Sequence, residues 1–170
     1  MKRVLIIAVA AIMLSGCASS PDPENTQLAS RIEILEHKTA LRELVDTFSN
    51  LADVKDAQAQ TFLFTEDAMV ETFREGASVS RLEGRQQIGE AFGRFLSNFK
   101  TVYHMNGQHT VTINGDTASG TLYCLTTLIT ADQMKTTIGV KYNDEYVLVD
   151  GKWLISKRTS YFEWQEVTSL

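Results

Sequence analysis

The chain of 170 residues contains only two prolines, two cysteines and three histidines. Both prolines lie in residues 18–26, a stretch with the sequence ASSPDPENT that has almost no apolar side chains. Such a stretch cannot bury enough surface to order itself, so we interpret it as a flexible linker. No second linker and no internal repeat follow it. Residues 27–170 are therefore predicted to form one domain, which is long enough to bury a core.

Long apolar runs are also scarce. The one that stands out, Val4–Leu14, follows two basic residues and is too short to span a bilayer permanently. This layout is typical of a secretory signal peptide, which we predict over residues 1–16. Its end, Leu14-Ser15-Gly16-Cys17, resembles the lipobox of bacterial lipoproteins, in which cleavage precedes a cysteine that becomes lipid-modified. An ordinary cleaved signal peptide with an incidental cysteine is the alternative.

The lipobox resemblance implies acyl chains on Cys17. Several chains on one cysteine hold a protein stably at a membrane, whereas a single chain holds it only marginally. Ala18 after the cysteine, rather than Asp, implies sorting to a Gram-negative outer membrane. We therefore expect a protein that is tethered through residues 17–26 at the periplasmic face of that membrane and does not span it.

Basic clusters are missing. The net charge is −5, it becomes −7 without Lys2 and Arg3, and the longest basic cluster is the pair Lys157-Arg158. An electrostatic footprint for nucleic acid is therefore absent, and we expect no nucleic-acid partner. If Cys17 is acylated, Cys124 has no disulfide partner in the chain and is expected to be a small buried hydrophobe.

Motifs for metals and cofactors are absent as well. The three histidines lie in separate settings with no close pair of ligands, so we predict no metal site. The chain has no dinucleotide fingerprint, no phosphate loop and no serine-nucleophile motif. We therefore predict that the protein uses no cofactor.

What the sequence does contain is helical periodicity followed by strands. Helices are predicted over residues 27–52 and 56–64, with Asp56 as a cap, and after Gly84, where Ile88, Phe92, Phe95 and Phe99 form one stripe. The first half of the first helix is mostly charged, and His37 within it is expected to be solvated. Strands are predicted over residues 68–73, 78–82, 101–113, 117–129, 136–149 and 153–163, with Asn-Gly and Asp-Gly turns.

Helices followed by antiparallel strands indicate an α+β fold in which helices cover one side of a sheet. Three groups of residues carry a family resemblance: 51–56 with 64–68, 83–88, and 141–146 with 149–158. Together they resemble the SnoaL-like branch of the NTF2-like superfamily, which includes scytalone dehydratase, ketosteroid isomerases and polyketide cyclases. The resemblance implies an NTF2-like cone, with about three N-terminal helices packed on a strongly curved, mostly antiparallel sheet.

For the site, the resemblance implies a catalytic pair, Asp53 and His104, that faces the interior of the cone. A carboxylate bonded to an imidazole fixes its tautomer and raises its basicity, which makes a base that can act near neutral pH. The sequence departs from the dehydratases elsewhere. Ala52 and Phe73 stand where those enzymes have tyrosines, and residues 117–129 contain no second histidine.

Tyr142 and Asp144 share one face of their strand, and the resemblance turns that face inward. Tyr123 and Phe73 complete the expected ligand-binding set. Structural roles remain open for the site residues: a helix-terminal turn for Asp53, a core position for His104, an exposed or Arg-paired carboxylate for Asp144, and packing with the hydroxyl at the rim for the tyrosines. His109 has the opposite parity to His104 and should face away from the pocket unless a bulge intervenes.

Three functions are compatible with this pattern. Because the catalytic set is incomplete, the sequence favours a lipid-anchored protein that binds a small, mostly apolar ligand, with Asp53, His104 and Tyr142 fixing its polar end. The alternative is a cofactor-independent dehydratase or isomerase that uses the pair Asp53 and His104. A third possibility is a structural accessory lipoprotein that forms a homodimer through its sheet, as the family implies.

Overall fold

The structure is a computed structural model that describes residues 22–170. The predicted signal peptide and Cys17 lie outside the described residues. Residues 23–26 were predicted to be linker, but they form the first turn of a helix. The Asp22 carboxylate accepts from the Glu24 amide at 3.0 Å, and Pro23 occupies the first helical position, where its missing N–H leaves nothing unsatisfied.

Helices precede most of the strands, and the α+β fold is confirmed. Both the second helix and the strands differ in length from the prediction: the helix is a single turn, while the first and last strands extend well beyond their predicted ends. The elements are α1 Pro23–Asp53, α2 Ala57–Thr61, β1 Phe64–Arg74, β2 Ala77–Glu83, α3 Gly84–Leu96, β3 Thr101–Asn114, β4 Thr117–Ile129, β5 Met134–Val149 and β6 Lys152–Ser169.

Six strands form one sheet in the order β2-β1-β6-β5-β4-β3. Every neighbouring pair is antiparallel except β1 and β6, which run parallel. Register shifts interrupt the β1–β2, β1–β6, β3–β4 and β5–β6 pairings. Such bulges bend a strand and increase its twist, so they curve the sheet around the helices as expected for an NTF2-like fold.

The turns explain why the hairpins form where they do. Asp150 and Gly151 join β5 to β6 with φ values of 50° and 76°, the left-handed pair of a type I′ turn that matches the twist of the strands. Between β3 and β4 the two-residue loop is Gly115-Asp116, with Gly115 at φ 57°. Both loops lie where the sequence predicts them.

The core lies between the concave face of the sheet and the helices. From α1, only the C-terminal half contributes buried residues. On α3, Ile88 is fully buried and Phe92 packs against the core, but Phe95 is 45% exposed. The predicted aromatic stripe is therefore only partly a core face.

Two predictions about single residues in the helical part have opposite outcomes. Asp56 caps α2, since its carboxylate accepts from the Ala59 amide at 2.9 Å, and this prediction is confirmed. His37 was expected to be solvated, which is wrong: its Nδ1 accepts from the Trp153 indole N–H at 3.1 Å. His37 lies four residues before Leu41, on the side of α1 that faces the sheet. None of the helices described here is long and apolar enough to cross a membrane.

Candidate functional site

A cavity of about 290 Å³ lies between the helices and the concave face of the sheet. This is close to the lower end of the range of about 300–1,000 Å³ that is usual for small-molecule sites. Its wall is mostly apolar, with aromatic rings from α1, α3 and β6. The polar side chains that line it are Gln60, Thr72, Arg74, Ser80, His104, Tyr142, Arg158 and Ser160.

The structure brings Asp53 and His104 together. Asp53 is the last residue of α1 and His104 is the fourth residue of β3, the strand against which α1 packs. The Asp53 Oδ1 and His104 Nδ1 atoms are 2.7 Å apart, with 25% and 8% of the two side chains exposed. His104 lines the cavity, and Asp53 lies behind it.

Burial lowers the pKa of His104 below its usual value near 6.5, and this effect exceeds the rise caused by Asp53. The positive charge of Arg158 also lowers it. His104 is therefore neutral at neutral pH. Since the neutral ring donates its Nδ1–H to the Asp53 carboxylate, the tautomer assigned from this contact leaves the Nε2 lone pair free to accept a proton.

Arg158 is the main site residue that the sequence alone did not identify. It is 1% exposed, and its guanidinium lies between the rings of Phe48 and Tyr142, with its carbon 4.3 and 4.4 Å from their centroids. Its Nε and Nη2 donate to the two Asp144 carboxylate oxygens at 2.8 and 2.6 Å. Its Nη1 has no hydrogen-bond partner within residues 22–170. A buried cation with one unused donor nitrogen thus borders the cavity.

Asp144 was predicted to bind the ligand, but the structure pairs it with Arg158. It is 2% exposed and also accepts from the Tyr146 hydroxyl at 3.0 Å. Burial opposes the charged form of Arg158 and lowers its pKa, but the Asp144 carboxylate outweighs this and raises the pKa overall, so the cation persists. The Arg-paired alternative for Asp144 is the correct one, and its role at the cavity is indirect.

The other predicted ligand-binding residues separate into two faces of the sheet. Tyr142 is 8% exposed and lines the cavity, and burial raises the pKa of its hydroxyl. Tyr123 is 51% exposed on the outer face, because Tyr142 pairs with Leu122 and the neighbouring residue points the opposite way. Phe73 also faces outward and stacks on Tyr161 with ring centroids 5.3 Å apart. Tyr123 and Phe73 are therefore corrections to the predicted set.

His109 does not face away as its parity predicts. A bulge between Asn106 and His109 inserts a residue into β3 and reverses the parity of everything after it. The His109 Nε2 atom lies 3.2 Å from the Tyr146 hydroxyl. A chain of hydrogen bonds therefore runs from His109 through Tyr146 and Asp144 to Arg158.

Gln60 is a second polar residue that sequence reasoning missed, because a glutamine in a one-turn helix carries no distinguishing pattern. It is 1% exposed, and its Nε2 donates to the Phe48 carbonyl at 3.0 Å. Its Oε1 atom has no partner among the described residues. The cavity is thus bordered by one residue with an unused acceptor and another, Arg158, with an unused donor.

Within residues 22–170, no group of three or more His, Cys, Asp or Glu side chains is arranged to hold a metal ion. Cys124 is buried and free, and its Sγ lies 3.7 Å from the Thr126 hydroxyl. Burial raises the pKa of this thiol, which keeps it protonated. Among the cavity residues, His104 is the one held by a carboxylate with a ring nitrogen left to accept a proton.

Comparison with known proteins identifies the family and the fold. The profile of a family described as SnoaL-like domain matches residues 33–159. An uncharacterised protein of Mycobacterium tuberculosis is 26% identical over 135 residues, which cover 78% of this chain and 84% of that protein.

Two solved structures share the fold. An NTF2-like protein with a cystatin-like fold from Novosphingobium aromaticivorans has a TM-score of 0.68 and 24% identity, over 84% of this chain and 91% of the other. A hexachlorocyclohexane dehydrochlorinase, LinA type 2, has a TM-score of 0.71 and 16% identity, over 82% and 93%. At these identities the likeness concerns the fold alone.

Proposed function

This chain belongs to the SnoaL-like domain family, and we propose that it is a cofactor-independent lyase that removes a proton from a small, mostly apolar molecule. The observation that carries the proposal is the 2.7 Å contact between Asp53 and His104 at the wall of an apolar cavity. Members of this fold group bind ligands or act as dehydratases and isomerases, so the site has to decide between these roles. A neutral, oriented histidine favours catalysis.

The proposed reaction is a β-elimination. His104 Nε2 takes a proton from a carbon next to the one that bears a leaving group, and the C–H electron pair becomes the second bond of a new C=C. The leaving group departs with its own bonding pair, as an anion. His104 ends as an imidazolium beside the Asp53 carboxylate and returns its proton to water or to the leaving group after release.

Arg158 provides the positive charge for the departing anion. Because Asp144 occupies only its Nε and Nη2, Nη1 remains to donate toward negative charge at the cavity. A fixed cation in an apolar site stabilises developing charge more strongly than one in water. Gln60, with its free Oε1, would orient a hydroxyl or N–H of the substrate.

The comparisons agree with this proposal without determining the substrate. One structural neighbour is a hexachlorocyclohexane dehydrochlorinase, and dehydrochlorination is a β-elimination from a ring. The site fits scytalone-type dehydration less well than dehydrochlorination. Ala52 and Phe73 stand where the dehydratases have tyrosines, and Phe73 faces outward. A substituted six-membered ring is the substrate class that best suits a cavity of this size.

The test is a panel of ring compounds incubated with the purified protein and followed by NMR or mass spectrometry. Hexachlorocyclohexane and cyclic β-hydroxy ketones are the first probes, since both offer an acidic C–H beside a leaving group. Turnover that is abolished by His104→Ala and retained by His37→Gln supports the proposal. His37 is a matched control because neither His37 nor Trp153, the residue it contacts, lines the cavity. Binding without any turnover, unchanged by His104→Ala, contradicts it.

We also propose that Cys17 is lipidated and holds the protein at the periplasmic face of an outer membrane. The support is the lipobox-like sequence Leu14-Ser15-Gly16-Cys17, and α1 begins only six residues after Cys17, at Pro23. In a Gram-negative host grown with labelled fatty acid, the parent chain should incorporate the label and Cys17→Ser should not. Equal labelling of the two chains, or no label in the parent chain, contradicts the proposal.

Pairing through the sheet is proposed on a separate observation. The outer face of the sheet exposes Tyr103, Met105, Tyr123 and Trp164, each more than half exposed. Adjacent exposed apolar side chains of this size are typical of an interface. Met105→Glu should weaken self-association in sedimentation experiments. A variant with the same sedimentation coefficient as the parent chain at every protein concentration contradicts pairing through this face.

A further inference from the structure

Helix α1 has an apolar stripe that its own domain does not cover. The helix has 31 residues, and its buried residues all lie between Leu41 and Ala52. In the first half, Leu28, Ile32 and Leu35 are 51%, 46% and 62% exposed. Their spacings of four and three residues place them on one face of the helix.

This stripe faces away from the domain. Ile32 lies nine residues before Leu41, which is two and a half turns, so the two side chains point in opposite directions. The side of α1 that faces the sheet is continued instead by His37, which contacts Trp153. Among residues 22–170, the domain therefore packs on the opposite side of α1 and leaves Leu28, Ile32 and Leu35 uncovered.

The spacing is that of a heptad repeat. With Leu28 and Leu35 at d positions, the a positions are Asn25, Ile32 and Thr39, all exposed. A β-branched residue at a together with Leu at d favours two parallel strands, and a polar residue such as Asn at an a position fixes the register.

The charges beside the stripe distinguish the two possible orientations. Arg31 and Lys38 fall at g, and Glu36 and Glu43 fall at e, five residues after each of them. In a parallel pair each g residue meets the e residue of the next heptad in the partner, so both contacts join opposite charges. In an antiparallel pair g would meet g and e would meet e, and like charges would repel.

We propose that the N-terminal parts of two α1 helices, one from each of two copies of this chain, form a parallel two-stranded coiled coil over residues 23–43. The two domains then lie on the outer sides of the pair, because each packs on the face of α1 that is opposite the stripe. Both N-termini leave from the same end of the coiled coil. The proposal is independent of the proposed catalysis and of pairing through the sheet.

A lipid surface is a less suitable occupant of the stripe. The charged residues of this half are Glu24, Glu33 and Glu36 against Arg31 and Lys38, with His37 engaged by Trp153. Helices that lie in a membrane interface carry a basic polar face that is attracted to anionic lipids. An acidic balance with alternating signs fits the seam of a coiled coil better.

The first experiment is site-specific cross-linking of the full chain. In a parallel pair identical d positions meet, so Leu35→Cys should form a covalent dimer in high yield with copper-phenanthroline as oxidant. Ser30→Cys, an exposed residue at an f position on the other side of the same helix, should form little. The parent chain measures any background through Cys17. Equal yields from the two variants overturn the proposal.

The second experiment exchanges the charges, which are exposed and therefore do not threaten folding. Arg31→Glu and Glu36→Arg should each weaken the Leu35→Cys cross-link by about tenfold at limiting protein concentration, and the double variant should restore it, since it rebuilds the pair in reverse. No rescue overturns the parallel pairing. If the stripe instead binds vesicles of anionic lipid in co-sedimentation and Leu35→Cys does not cross-link, the occupant is a membrane and not a second chain.

Discussion

His104 is under two opposing influences that set its usefulness as a base. Burial and Arg158 lower its pKa, while Asp53 raises it through a direct hydrogen bond. A base must be unprotonated to act, so a depressed pKa keeps it competent over the whole neutral range. The proposed chemistry depends on this balance at one residue.

The balance predicts the effect of Asp53→Asn. Loss of the carboxylate removes both the contributions that raise the pKa of His104, so the acid limb of kcat/KM, already below pH 6.5, should move to lower pH. The rate on the plateau should fall by about 10²–10⁴-fold, because the ring loses its fixed tautomer. The measurement is the pH profile of kcat/KM on the best probe, and a profile that is unchanged in Asp53→Asn excludes the pair as the catalytic unit.

The same shifts predict how stability depends on pH. Both His104 and His109 have folded-state pKa values lowered chiefly by burial, whereas in the unfolded chain they titrate near 6.5. As pH falls below 6.5 the unfolded state takes up protons first, so the free energy of unfolding should decrease between about pH 7 and 5.5.

The check is the urea midpoint across that pH range for the parent chain and for His104→Gln and His109→Gln. Each substitution should make the urea midpoint fall less between pH 7 and 5.5, and the double variant should show the smallest fall. His37→Gln, which leaves both of these buried imidazoles in place, is the control. A midpoint that rises toward pH 5.5 in the parent chain contradicts the assigned direction.

At the scale of single residues, the resemblance predicted the pair Asp53 and His104, which the structure brings into contact. It did not predict that Tyr123 and Phe73 face outward. Leu122 pairs with the inward-facing Tyr142, so the next residue, Tyr123, lies on the outer face. Positions carried over from a family fix which element a residue lies on. The face of that element depends on the register of pairing with its neighbour.

Among the elements, the β5–β6 hairpin shows what a turn signal can and cannot predict. The Asp150-Gly151 turn was identified, and counting from it pairs Tyr146 with Ile155 as observed. A register shift between Glu145 and Tyr146 then changes the pairing by one residue, so that Asp144 meets Arg158 and not Lys157. Bulges depend on local packing that short-range pattern does not encode, and this one places the cation at the cavity.

Two ion pairs on this hairpin give a matched prediction. Asp144→Ala leaves the Arg158 cation buried without its counterion and should cost about 3–5 kcal/mol in the free energy of unfolding. Its neighbour pair, Glu145 with Lys157 at 3.2 Å, has side chains 61% and 40% exposed. Glu145→Ala should cost under about 1 kcal/mol. Chemical denaturation measures both, and similar losses in the two variants contradict the role given to Asp144.

The packing of α2 against α3 gives a second matched pair. A Cβ at Gly89 would lie 2.6 Å from Thr61 Cγ2, whereas a Cβ at Gly93 would lie 3.8 Å from the Ala57 Cβ. Gly93→Ala should stabilise the protein by about 0.5–1 kcal/mol through helix propensity. Gly89→Ala gains the same propensity but should be destabilising by about 1 kcal/mol or more, because it overpacks a buried site.

The cause can be isolated by Thr61→Ser, which removes the methyl group in question. Combined with Gly89→Ala, it should recover most of the loss in thermal denaturation. If Gly89→Ala is as stable as Gly93→Ala on its own, the close contact between α2 and α3 is not as described.

At the scale of the whole molecule, the fold class followed from the order of helical and alternating patterns, and the resemblance supplied the cone. The cavity could not be predicted, because its existence depends on whether Phe92, Phe95 and the tyrosines fill the interior. In the structure Phe92 packs toward Phe48 and Phe64, and Phe95 pairs with Phe99, which leaves space beside His104. Side-chain packing of this kind is not visible in a pattern of residue types.

The molecule also gives α1 three tasks along its length. Its last residue, Asp53, orients the base, its second half forms the core, and its first half carries the stripe proposed to pair with a second copy. Since the site lies at one end of this helix and the stripe at the other, variants in the stripe should leave the cavity unchanged.

The most direct measurement is ¹⁵N NMR of the His104 ring as a function of pH, which needs no substrate. The proposed base requires a proton on Nδ1, a bare Nε2 and a pKa below 6.5, and it requires Asp53→Asn to lower that pKa further. Observation of this tautomer and both shifts supports the proposed catalysis. A ring that carries its proton on Nε2, or that titrates above 6.5, contradicts it.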